Sequence, residues 1–85
     1  MAALTLTFVN ANVRSVHLPD GSHVGNLKRI GSTWKFKAIG YDAAGNVLPG
    51  GGPFTDRHNT VCAAADETEL SAKLGLTAQQ QPQTL

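Results

Sequence analysis

The sequence predicts an α+β domain, an antiparallel β-meander of about three to five strands packed by a C-terminal helix. Apolar and polar residues alternate near the amino terminus, with the two-residue period of a pleated strand. Turn-forming residues recur between the apolar runs as far as residue 49, as they do between successive hairpin strands. A stretch with helical spacing and a capping residue follows. We therefore assign residues 1–76 to a single domain and expect residues 77–85 to be a disordered polar tail.

The first three predicted strands lie before residue 31. Leucine and phenylalanine alternate with threonine in the segment LTLTF, so residues 3–9 are predicted to form the first strand. The segment VRSVHL is the second, and it ends at Pro19-Asp20-Gly21, where proline presets one turn dihedral and glycine accepts a positive φ. The chain is then expected to return through SHVGNLKRI as the third strand.

A two-residue loop is predicted at Gly31-Ser32, because glycine in the first loop position suits the type II′ turn of a hairpin. The strand that follows is expected to cover residues 33–41. Asp42 and Gly45 suit the two ends of a type I turn, after which the segment NVL is predicted to add a short strand. Pro49 is expected to end it, since proline lacks a backbone donor.

The segment PGGGP, residues 49–53, is predicted to be an irregular joint, because three glycines are costly to order and prolines lack a donor. Residues 54–65 allow two interpretations, a short strand or a separate helical turn. A helix is predicted at residues 67–74. Asp66 is the predicted N-cap, and the Glu69 side chain is expected to bond back to it. Gly75 is expected to end the helix.

The composition limits the class of protein. A chain of 85 residues makes one domain with a small core, and its single cysteine cannot form an internal disulfide. Self-association is the remaining common reinforcement, so we expect a homodimer. The amino terminus has no secretory pattern, and no apolar run is long enough to span a bilayer, so we expect a cytoplasmic protein without membrane contacts.

Charge is distributed unevenly along the chain. The formal net charge is only +1. Residues 1–57 nevertheless hold six Lys or Arg against three Asp, a net +3, whereas residues 58–85 hold one Lys against three acidic residues, a net −2. Four of the seven basic residues fall within ten positions, at 28, 29, 35 and 37. This clustering directs the search for a functional site to the hairpin around Gly31-Ser32.

The register of that hairpin predicts a basic face. A two-residue loop places Lys28 opposite Lys35 and Asn26 opposite Lys37, and all four side chains then share one face. Like charges in direct opposition destabilise a sheet, and neither strand offers a carboxylate to relieve them. The alternate face is expected to be apolar, with Arg29 able to lie over the Trp34 ring.

A bound polyanion would relieve the repulsion, and nucleic acid is the polyanion that such proteins meet most often. We therefore predict a small nucleic-acid-binding protein, with DNA favoured over RNA, that uses a β-ribbon narrow enough to enter a major groove. The predicted binding residues are Lys28, Lys35, Lys37, Arg29, Arg14, Arg57 and Asn26. Two alternatives remain: the lysines only solubilise the sheet, or the chain is a protein-interaction, accessory or inhibitor module with no nucleic-acid role.

Other constellations offer weaker chemistry. His17 and His23 are expected to face each other across the Pro19-Asp20-Gly21 loop, but two imidazoles do not make a metal site. Cys62 reads as a small buried hydrophobe, with His58 as the only local base should it act as a nucleophile. The glycine-rich segment lacks the Lys-Ser/Thr ending of a phosphate loop. We thus expect no enzyme, no metal, no cofactor and no small-molecule substrate.

The aromatic residues also allow two interpretations. Trp34, Phe36 and Phe54 are most simply core residues, although an exposed aromatic ring among lysines would suit the stacking of single-stranded bases.

The segment WKFKAIGYDAAGNVLPGGGPFTDRHNTV, residues 34–61, resembles a group of small uncharacterised proteins encoded on bacterial plasmids and other mobile elements. The resemblance covers about the central third of the chain and assigns no catalytic residue. It implies a bacterial setting in which small dimeric DNA-binding proteins are common.

Overall fold

The computed structural model describes residues 4–75, which form one antiparallel sheet and a short helix. The strands are β1 (Thr5–Asn10), β2 (Val13–His17), β3 (His23–Ile30), β4 (Thr33–Tyr41), β5 (Val47–Pro49) and β6 (Thr60–Cys62), and the helix is α1 (Glu67–Lys73). Strands β1 to β5 follow one another as a meander, and β6 pairs with the other part of the β4 edge. The predicted α+β meander with a C-terminal helix is confirmed.

The core lies between one face of the sheet and α1. Leu27 and Phe36 from the two central strands are fully buried against Leu70 of the helix, and Cys62 of β6 belongs to the same cluster. Since successive side chains of a strand point to opposite faces, the residues between these core positions lie on the other face. We call the side that packs on α1 the helix face and the other side the open face.

Local turn chemistry sets the hairpins as predicted. Gly31 has a φ of 64°, and the two-residue loop gives the expected pairing of Lys28 with Lys35 and of Asn26 with Lys37. Gly21 has a φ of 92° in the first loop. In the next turn the Gly45 N–H donates to Asp42 O at 3.0 Å.

The joint after the meander is irregular at residues 50–53, as predicted, but its first residue belongs to a strand. Pro49 is the last residue of β5 and pairs with Ile39, so the expectation that this residue lies outside regular structure is wrong. Glycine is required where the segment crosses β4, because a Cβ on Gly40 would lie 2.5 Å from Gly52 N. Both interpretations of residues 54–65 are realised, as a 3₁₀ turn at Thr55–Arg57 and as β6.

The helix is capped as predicted, with one change. Asp66 Oδ2 accepts from the Glu69 N–H at 2.9 Å, and Gly75, with a φ of 80°, follows the helix end. Glu69 does not close a capping box with Asp66, because its Oε2 accepts instead from the Ala63 N–H at 2.9 Å. The carboxylate therefore ties the β6–α1 connection to the helix. The tail predicted to be disordered from residue 77 lies outside the described residues.

No helix within residues 4–75 is both long and apolar enough to cross a membrane.

Candidate functional site

The open face of the sheet carries the basic residues of the central hairpin. Lys28 and Lys35 lie directly opposite each other on β3 and β4, and Lys37 follows two residues later on the same face. We call these three residues the lysine cluster. Lys28 and Lys35 form a row across the sheet, which continues with Val13 of β2 on one side and Val61 of β6 on the other. The cluster thus lies in the middle of the sheet, with paired strands on both sides.

A second row of polar side chains runs beside the first. Thr7, Ser15, Asn26 and Lys37 are successive partners across β1 to β4. Lys37 Nζ donates to Asn59 Oδ1, and Asn59 has a φ of 74°, a backbone conformation that asparagine tolerates better than most residues. Amide, hydroxyl and ammonium groups therefore occupy this row, and all of them can bond to phosphate or sugar oxygens.

Two imidazoles and a phenol continue the open face beyond this row, because the register shift between Val16 and His17 brings His23 to the face of His17. The rings of His17 and His23 stack with their centroids 4.9 Å apart, as their predicted opposition requires. His23 Nδ1 lies 3.1 Å from Tyr41 Oη, and its Nε2 lies 3.1 Å from Asn26 Oδ1. We call His17, His23 and Tyr41 the aromatic group. Tyr41 was not predicted as a site residue. It lies an even number of residues from Lys35 and Lys37 in β4, and the two-residue strand period therefore places it on the same face.

The strands themselves bring no acidic side chain to the open face. None of the six strands contains an Asp or a Glu, whereas five of the seven basic residues lie in strands. The acidic residues occupy loops, the 3₁₀ turn, and α1 with its cap. Within residues 4–75 the one ion pair joins Lys73 to Glu69 at 3.3 Å, and both belong to α1. The carboxylates of the helix do not neutralise the lysine cluster.

The loop carboxylates are bound within their own turns. The Ser22 N–H donates to Asp20 at 2.8 Å and the Asn46 N–H to Asp42 at 2.9 Å. These backbone hydrogen bonds lower the pKa of both carboxyl groups below the usual value, because they favour the ionised form. Both carboxylates are bound by backbone N–H groups of their own turns and do not act as counter-ions of the lysine cluster.

The three predicted arginines do not join the lysine cluster. Arg14 pairs with Leu27 and therefore lies on the helix face, where its Cζ is 4.7 Å from the Phe8 ring centroid and 5.2 Å from that of Trp34. Arg14, and not Arg29, is thus the arginine over the indole ring. Arg29 Nε donates to Gly31 O at the tip of the hairpin. Arg57 is exposed in the 3₁₀ turn.

The candidate stacking residues from the sequence also lie away from the lysine cluster. Phe36 is fully buried, and Phe54 packs edge-on against it with ring centroids 6.2 Å apart. Trp34 is half-buried against the same core. These rings are core residues, which was the simpler of the two interpretations.

The two candidates for nucleophilic chemistry have structural environments. Cys62 is buried in the core, and this burial raises the pKa of its thiol, which disfavours the reactive thiolate. His58 Nδ1 accepts a hydrogen bond from the Ala38 N–H at 3.0 Å. No group of three or more potential metal ligands occurs in the part of the chain that the structure describes.

His58 completes the edge of β4 at Ala38, between the residues that pair with β6 and those that pair with β5. The Gly50 N–H donates to Ala38 O, and the Asn59 N–H donates to Phe36 O, so the imidazole supplies the acceptor that a paired strand would otherwise give. Ala38 is fully buried, and an unpartnered amide there would cost free energy.

Replacing this acceptor tests its role. We expect His58→Ala to lower the free energy of unfolding by about 1–2 kcal/mol, the cost of leaving a buried donor unsatisfied. His58→Asn keeps an acceptor on the same δ position and is expected to lose less than half as much. Urea unfolding followed by circular dichroism measures both. Equal losses in the two variants would contradict this role of the imidazole.

No family model, curated protein or solved structure matches the chain, and the resemblance to plasmid-encoded proteins therefore stays a prediction.

Proposed function

We propose that this protein binds nucleic acid through the open face, with Lys28, Lys35 and Lys37 contacting phosphates and Asn26 assisting. One observation carries the proposal: three ammonium groups share a sheet face on which no strand supplies a carboxylate. Direct opposition of Lys28 and Lys35 is unfavourable in the free protein. A row of phosphates would attract both ammonium groups and so offset the repulsion between them. DNA remains the first ligand to test.

Counterion release gives the test. Phosphate contacts make the logarithm of the association constant fall linearly with the logarithm of the salt concentration. Three lysine contacts predict a slope of about −2 on single strands and about −3 on duplexes. Fluorescence anisotropy of labelled DNA and RNA, at about 50 mM and about 200 mM salt, measures this slope. A protein that binds neither DNA nor RNA at the lower salt concentration does not have this function.

A second candidate, a protein-interaction module, is favoured by the exposed side of β1. Phe8 is 66% exposed and Val9 is 54% exposed on a strand that pairs only with β2 among the described strands. The Leu6 N–H is occupied by Glu67 Oε2 at 2.8 Å, which protects one position of that edge.

We propose a second copy of the chain as the partner at this edge, since a small core gains most from self-association. Light scattering is expected to give twice the chain mass of 8.9 kDa and to fall toward the monomer mass in Val9→Lys. A wild-type mass of 8.9 kDa at all concentrations would remove the homodimer. The edge would then remain a candidate surface for a different protein.

A further inference from the structure

The aromatic group gives the open face a second kind of chemistry. Tyr41 is 49% exposed, and its hydroxyl is held by His23, which in turn stacks on His17. His17 itself is fixed at both ring nitrogens, with Ser15 Oγ 3.0 Å from Nε2 and Gly21 O 3.3 Å from Nδ1. The phenol ring is therefore an exposed flat surface on an ordered base of hydrogen bonds.

This group is continuous with the lysine cluster. Lys37 and Tyr41 lie on the same face of β4, four residues and about 13 Å apart along the strand. Asn26 bridges the two, because it pairs with Lys37 and its Oδ1 contacts His23 Nε2. Along β4 the buried Ile39 separates Lys37 from Tyr41 on this face, so Asn26 provides the polar connection between the two groups.

The sheet is too broad for a duplex groove. The hairpin of β3 and β4 lies between β2 on one side and β5 and β6 on the other. Five strands span about 19 Å, whereas the major groove is about 12 Å wide and admits two strands. The open face therefore cannot place the lysine cluster inside a groove. The paired bases of an intact duplex would not reach Tyr41.

We infer that the ligand of the open face is a single-stranded polynucleotide, with an unpaired base stacked on Tyr41 and phosphates on the lysine cluster. This inference rests on the proposed function and narrows its ligand class. A flat sheet face suits a single strand, since its bases are free to turn toward an aromatic ring while its backbone follows the ammonium groups. A base edge facing Asn26 would meet an amide that can donate and accept.

The test separates base contacts from phosphate contacts. The probes are oligothymidylate and oligouridylate of about 12 nucleotides, an abasic DNA oligomer of the same length, and a duplex. We expect Tyr41→Ala to weaken binding of the two base-bearing strands about 5- to 150-fold, and binding of the abasic oligomer by less than about twofold. Tyr41→Phe keeps the ring and should lose less than Tyr41→Ala.

A control variant is available on β5. Leu48 is 44% exposed and pairs with Gly40, so its side chain belongs to the helix face. Leu48→Ala is expected to bind all four probes as the wild type does. Tyr41 is the only tyrosine of the chain, so its ring protons identify themselves in NMR spectra and should shift upfield when a base stacks on the ring.

The outcomes distinguish this inference from the proposed function. Binding of the duplex as tight as that of single strands, or an equal loss on the abasic oligomer in Tyr41→Ala, would overturn the single-strand inference and leave nucleic-acid binding intact. Failure of all four probes to bind would remove both. Should Tyr41→Ala fail to fold, the wild-type preference for base-bearing over abasic strands and the Tyr41 ring shifts decide the matter.

Discussion

The double variant Lys35→Gln, Lys37→Gln is expected to bind single-stranded DNA about 60-fold more weakly than the wild type at about 50 mM salt, and about tenfold more weakly at about 200 mM. Each lost phosphate contact changes the salt slope by about 0.7 on a single strand, and the affinity extrapolated to 1 M salt stays constant. Anisotropy titrations at several salt concentrations measure the affinity and the slope together.

Lys73→Gln is the matched control for this loss. Lys73 is the remaining lysine of the chain; it lies on α1, and its Nζ contacts Glu69 and Val61 O. Its neutralisation is expected to change the affinity by less than about twofold, since its ammonium group is already paired with Glu69. Similar losses in the double variant and in Lys73→Gln would mean that net charge, and not the lysine cluster, attracts the ligand.

Gly52→Ala is expected to produce the largest loss of stability, at least about 3 kcal/mol, or a fall in Tm of at least about 12 °C. Gly52 has a φ of 83°, and a Cβ there would overlap the carbonyl oxygen of Ile39. The added Cβ would be attached to the backbone of the joint and would meet backbone atoms of β4. Neither segment can move aside without breaking the β4–β5 pairing. Thermal unfolding followed by circular dichroism measures the effect.

Gly45→Ala separates the clash from the backbone strain. Gly45 has a φ of 87°, close to that of Gly52, but a Cβ there meets no atom within 4 Å. Only the strain of a left-handed alanine remains, about 1–2 kcal/mol. If the two variants lost equal stability, the close approach of the joint to β4 would contribute nothing.

The hairpin at Gly31-Ser32 was predictable because its determinants are local. A two-residue loop with glycine first has few conformations, and the pairing of Lys28 with Lys35 follows from loop length alone. The capping Asp66 is local for the same reason, since its side chain bonds a backbone group three residues away. These features needed no knowledge of the rest of the chain.

The remaining features depend on contacts between segments far apart in sequence. His58 completes the β4 edge across 20 residues, and β6 pairs with β4 only after the glycine joint has crossed it. Neither contact has a local signal, because residues 54–65 carry no strong propensity for one structure.

The sequence by itself determined the order of strands β1 to β5, the tight turns and the common face of the lysine cluster, since short loops and the two-residue strand period decide them. Only the tertiary structure decided that Arg14 lies over Trp34, that β6 pairs with β4 beside Lys35, and that Tyr41 contacts His23. Those placements arise from the packing of strands that are distant in the chain, where the free energy of burial selects among pairings that local geometry leaves open.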